Sequence, residues 1–150
     1  MAAISTFVPA PYEIVDDSYV LANGPNHNRA SLLFSFYCSE AATVSFEGEV
    51  LAPKSSSNSF YVVVDQGEET GWNISPPNAE WQWDNIHTLF NVSAGAHVLE
   101  LRHRERGVAI KTIRFERGHP HCGYFPTSCG NLSFMLYTLE KSMACRYAKV

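Results

Sequence analysis

Trp72, Trp81 and Trp83 fall close together in a polar stretch that also carries Asn73, Gln82 and Asp84, with Tyr61 a short way upstream. Indole and phenol rings stack on the flat C–H faces of pyranose rings, and amides, carboxylates and guanidinium groups orient the hydroxyls. These residue types together are a kit for holding a sugar. The competing account is that the tryptophans are core plugs closing the end of a β-sandwich. Trp81 and Trp83 are two residues apart, so an extended backbone would point both the same way and a turn would split them. The expectation is Trp83 inward and Trp72 or Trp81 outward. Tyr61, Trp72 and Trp81 are the candidate stacking platforms; Asn73, Arg104 and Glu105 are the candidates for setting orientation.

Other chemistry is less well supplied. Arg102-His103-Arg104-Glu105-Arg106-Gly107 could give bidentate contacts to hydroxyls or a uronate carboxylate; its bland counterpart is a salt-bridged strand end on a solvated rim. Glu13, Asp16, Asp17, Asp65, Glu68 and Glu69 offer oxygen ligands of the kind calcium takes, although paired acids near strand ends are commonly just solvated. His119, His121, Cys122 and Cys129 are zinc-binding types, but their spacing matches no finger or ribbon. A small enzyme acting on a sugar-like ligand would draw first on His87, His97 and His103. His97 and His103 share parity with Leu99 and Leu101, so the bland alternative is that they are core-edge histidines. No G-x-S-x-G, phosphate loop or H-E-x-x-H is present, and Ser55 to Ser57 form a loop with no evident base. The sequence therefore favours binding over catalysis. A protein-interaction module is the further alternative.

The chain has 150 residues, 45% hydrophobic and 17% charged, with a net charge of −4. That is the size and composition of one ordinary globular domain with a real core. The 11 Lys and Arg residues form no basic stripe, which argues against a nucleic-acid partner. No apolar run approaches the roughly 20 residues that cross a bilayer, so no membrane insertion is expected. Met1 to Pro11 lacks the charge and apolar run of a secretory signal. Three tripeptides begin at Asn73, Asn91 and Asn131 as glycosylation acceptors, a pattern common by chance. Cys38 ends an apolar run and reads as a small buried hydrophobe; a Cys122–Cys129 loop is geometrically allowed. These cysteines leave the compartment open.

The elements that must position these residues are short and alternating. Expected strands are Tyr12 to Leu21, broken at Asp16-Asp17, then Ala30 to Cys38, Thr43 to Leu51 and Ser59 to Asp65. Val44, Phe46, Gly48 and Val50 share one face of the third, and Phe60, Val62 and Val64 one face of the fourth. Gln66 to Trp83 reads as a long connection of the functional kind. Asn85 to Val92, His97 to Glu105 and Ala109 to Phe115 complete the set. Seven or eight short strands with turn signals about every ten residues make an all-β antiparallel sandwich, a jelly roll. The sandwich domain is expected over 1–117. From 118 to 150 follows a C-terminal extension, where Leu132 to Leu139 is apolar enough for a strand or short helix.

Val50-Leu-Ala-Pro53, Asn58-Ser-Phe-Tyr-Val-Val-Val-Asp65, Trp81-x-Trp83-Asp84, Ala94-Gly95-x-His97-x-Leu99-x-Leu101 and Arg104-Glu105-x-Gly107 occur in this order. In this the chain resembles the β-jelly-roll carbohydrate-binding modules of the galactose-binding-like superfamily, appended to polysaccharide lyases and glycoside hydrolases. The resemblance covers about Tyr12 to Phe115. It implies a non-catalytic module that holds a poly- or oligosaccharide, an extracellular setting, and commonly a structural calcium. Three departures bear on that cation: Glu49 stands where relatives often carry Arg, Lys111 where many carry an acid, and Glu13 where the first strand offers paired glutamates. Lys111 would partly replace a cation electrostatically.

Overall fold

A computed structural model describes residues 12–16, 18–27, 30–116 and 119–124, with twelve strands among them. β1 (Tyr12–Val15) and β2 (Tyr19–Ala22) are an antiparallel hairpin and not the single broken strand expected. Asp16, at φ 50°, reverses the chain. Aspartate tolerates that left-handed conformation, and the Ser18 hydroxyl and amide donate back to Asp16 and Val15 carbonyls. β3 (Ser31–Cys38) follows. The next alternating run divides into β4 (Ala42–Val44) and β5 (Phe46–Ala52). Val44, Phe46 and Val50 are fully buried, so the facing pattern read from the sequence continues across the break.

β6 (Ser59–Val64) sends Phe60, Val62 and Val64 inward. The stretch expected as a long loop holds two further strands, β7 (Thr70–Asn73) and β8 (Asn78–Asn85). Both are sheet edges, where fewer positions face the core, so their apolar alternation is faint. β9 (Phe90–Val92) is shorter than expected because Asn85 belongs to β8. β10 (Gly95–His103), β11 (Ala109–Phe115) and β12 (Cys122–Tyr124) end the described chain.

One five-stranded sheet has the order β1-β2-β11-β5-β8, the other β12-β3-β10-β6-β7, and β4-β9 is a separate ribbon. Every pairing is antiparallel. The architecture is the all-β sandwich. Its core is aromatic where the sheets meet: Phe36 of β3 lies 5.4 Å from Phe46 of β5 and 5.7 Å from Phe115 of β11.

Cys38 and Cys122 are joined by a disulfide that ties β12 to β3, so Cys38 is a bridge member and not an isolated buried thiol. The pairing also removes the Cys122–Cys129 loop, and with it Cys122 as a zinc thiolate. Cys129, Cys145, Asn131 and Leu132 to Leu139 lie outside the described residues.

Candidate functional site

Alternation along β6 and β7 decides which candidates meet. Phe60 and Val62 point into the core, so Tyr61 stands on the outer face of its sheet. Across the ladder Tyr61 pairs with Gly71 of β7 and with Arg102 of β10. Gly71 and Asn73 share the outward parity of Tyr61, and Arg104 shares that of Arg102. Tyr61, Asn73 and Arg104 therefore converge.

The geometry within this cluster is specific. The Arg104 guanidinium lies 5.1 Å from the Tyr61 ring centroid, and its Nη1 donates to Asn73 Oδ1 at 3.1 Å. Gly71 leaves the space it crosses, since a Cβ there would lie 3.1 Å from Nη1. His27 joins from the loop after β2: its Nδ1 is 3.0 Å from the Tyr61 hydroxyl, and its amide donates to the Arg104 carbonyl at 2.7 Å. Sequence reasoning missed His27, because only the fold brings that loop beside β6.

Charge separates Arg104 from its neighbour. Arg102 binds Glu69 at 2.8 Å and Glu100 at 2.8 Å. Burial pulls the Glu100 carboxyl upward, but hydrogen bonds from Arg102 and Ser31 outweigh it and hold the group below the usual carboxylate range. The same pairs, led by the bond to Glu100, push the Arg102 pKa up. Arg102 is thus satisfied within the protein, as the bland account of this segment proposes. Among the described residues Arg104 has no carboxylate partner, only an amide and a ring. An amide-held guanidinium keeps N–H donors for an incoming oxygen.

The remaining candidates are elsewhere. Trp72 is 1% exposed and cannot stack on a ligand, which corrects the expectation that it is a platform. Its position on β7 is inward, its ring packs on Phe60 at 5.7 Å, and its Nε1 donates to Asp84 Oδ2 at 2.7 Å. Glu105 is engaged in structure: Oε2 accepts from the Asn58 amide at 2.9 Å and the Ser59 hydroxyl at 2.6 Å, pinning the start of β6.

Trp81 lies on β8, on the outer face of the opposite sheet, with Lys111 Nζ 4.2 Å from its ring centroid and Tyr19 edge-on at 5.2 Å. Trp83 follows on the same face. The expectation that it points inward is overturned, for it is 41% exposed with the Arg114 guanidinium 3.6 Å from its ring centroid. β8 stays extended here, and the inward parity belongs to Asp84, which accepts the hydrogen bond from the Trp72 indole.

His97 and His103 are not brought together by the fold. His97 and His103 are buried, and six residues apart on one strand places them about 20 Å from each other. His97 lies 2.6 Å from Asp65 Oδ2 and 2.8 Å from the Ser93 carbonyl. His103 meets Tyr12 edge-on at 5.7 Å, and burial pushes its pKa down. His87 sits in the loop before β9 at φ 61°.

Of the acids considered for calcium, Asp17 lies outside the described residues, and three others have separate partners: Glu13 accepts from Asn23, Glu69 from Arg102, and Asp65 from Val98. Among the described residues no three His, Cys, Asp or Glu side chains gather as metal ligands.

No family model matches the sequence, and no curated protein matches it. Solved structures do. A family 35 carbohydrate-binding module from an environmental isolate aligns with TM-score 0.51 and 16% identity over 79% of this chain and 80% of its own. A family 35 module, Xyl-CBM35, solved with a glucuronic acid-containing disaccharide, aligns with TM-score 0.51 and 10% identity over the same shares. The family 35 module of Cellvibrio japonicus Abf62 gives TM-score 0.51 and 10% identity, again over 79% and 80%. The chain has the β-sandwich fold of these carbohydrate-binding modules.

Proposed function

We propose that this protein binds carbohydrate without altering it, and that Tyr61, Asn73 and Arg104, with His27 holding the tyrosine, form the binding surface. One observation carries the reading: Arg104 is held by Asn73 and Tyr61 and has no carboxylate partner among the described residues. A guanidinium so placed is suited to an acidic sugar, whose carboxylate it can bind in bidentate fashion while the phenol ring takes the sugar's C–H face. The fold shared with modules that bind glycans supports this, including one solved with a glucuronic acid-containing disaccharide. The cluster stands on the outer face of a sheet, where a ligand buries little surface, so the expected affinity is of the order of micromolar to millimolar.

An extracellular setting accompanies the proposal. The Cys38–Cys122 bridge supports it, because disulfides persist in oxidising compartments.

A glycan array holding neutral and uronate-containing oligosaccharides, read with the native protein and with Arg104→Gln, tests the reading. Binding to uronate glycans that is lost in the variant is the expected result. Uronate binding unaffected by Arg104→Gln would refute the assignment.

A further inference from the structure

We propose a second glycan-binding surface on the opposite broad face of the sandwich, built on Trp81 and Trp83, whose ligand is a neutral oligosaccharide. The inference rests on the carbohydrate reading but on none of its residues.

Trp81 and Trp83 occupy alternate positions of edge strand β8, so their rings stand on one face roughly 7 Å apart along the strand. That separation lets two rings of a single chain lie against two indoles. Each indole is held by a cation that is itself anchored. Lys111 lies over Trp81 and is 3.8 Å from Glu49; Arg114 lies over Trp83 and donates to Glu47 at 2.6 Å. Cross-strand register brings Glu47 opposite Arg114 on β11 and Glu49 opposite Trp83 on β8.

Two consequences follow. The guanidinium covers one face of Trp83, yet the residue keeps 41% of its surface open, so uncovered ring remains for a ligand. A ring clamped on one face by a salt-bridged guanidinium has little motion left to lose, which is how pre-organised platforms gain affinity. Charge then selects the ligand. Both cations have carboxylate partners, so the strip has no surplus charge for an acidic sugar, in contrast with Arg104 on the far face. Flat, rigid and charge-balanced aromatic surface suits the C–H faces of uncharged pyranoses.

The test titrates the full chain with neutral hexaoses of β-1,4-linked glucose, mannose and xylose, and separately with a uronate-containing oligosaccharide. Calorimetry and acrylamide quenching of indole fluorescence are the readouts. Trp83→Ala is expected to weaken binding of the preferred neutral hexaose about tenfold or more, with uronate binding unchanged. Arg104→Gln is expected to do the reverse. Trp83 is exposed, so the variant should fold; an unchanged circular dichroism spectrum and Trp83→Phe, which restores part of the ring, control for this. Absence of binding to all three hexaoses overturns the proposal, as does a hexaose affinity that Trp83→Ala leaves intact. Either result leaves the Arg104 surface to be judged by its own uronate response.

Discussion

The Trp72 indole N–H donates to Asp84 Oδ2 at 2.7 Å, joining β7 at the edge of one sheet to β8 at the edge of the other. The ring fills the gap over Gly48, where an added Cβ would come 2.7 Å from Trp72 Cη2. Trp72 is therefore a clasp between two layers. Trp72→Ala should destabilise the fold by about 3–5 kcal/mol through the cavity it leaves. Gly48→Ala should cost about 1–3 kcal/mol by overpacking the same space. Urea unfolding of both variants checks these values.

Glu105 should behave as a structural residue. Its carboxylate receives the Asn58 amide and the Ser59 hydroxyl, and Ser59 is buried. Glu105→Ala is expected to lose about 1–3 kcal/mol of stability. Folded variant should retain its glycan affinity. Parallel denaturation and binding measurements would separate the two roles, and a selective loss of affinity would return Glu105 to the site.

His103 predicts a pH dependence. The ring is fully buried, and neither nitrogen makes a hydrogen bond of good geometry, although the Asn23 backbone is close enough to favour the charged form slightly. Burial dominates and pushes the pKa below its ordinary value of about 6.5. Below that value the unfolded chain takes up a proton that the folded chain refuses. Stability is then fully present above about pH 6.5 and is lost as pH falls towards the folded-state pKa. His103→Phe should flatten this part of the curve, measured as Tm against pH from 7 to 5. Glu100, held below the usual range, adds a second decline at more acidic pH, where protonation breaks its pairing with Arg102.

The Cys38–Cys122 bridge closes a loop of sequence separation 84. Its removal in Cys122→Ser should lower stability by about 2–4 kcal/mol. Thermal unfolding with and without reductant gives the same difference in the native chain, and coincident Tm values would contradict it.

The architecture was legible in the sequence because strands buried on one or both faces carry strong apolar signals, as β3, β5, β6, β10 and β11 do. The edge strands β7 and β8 were not, since Trp72 is the only buried side chain of β7 and β8 has none. Without them the parity of the tryptophans is undetermined, which is why the expectation of Trp83 inward and Trp72 or Trp81 outward fails at Trp83 and at Trp72. Of the proposed site, Tyr61, Asn73 and Arg104 stand out in the sequence by residue type alone. Their convergence depends on the β6–β7 and β6–β10 registers, and His27 on a loop that no local pattern connects to Tyr61. The disulfide was equally hidden, because it depends on β12 pairing with β3.

Amide chemical-shift mapping of the protein titrated with a uronate-containing oligosaccharide tests the central claim most directly. Shifts that cluster at Tyr61, Asn73, Arg104 and His27, saturate with one affinity and vanish in Arg104→Gln are the predicted result. Saturable shifts centred elsewhere, or a titration that leaves these four amides unmoved, would contradict it.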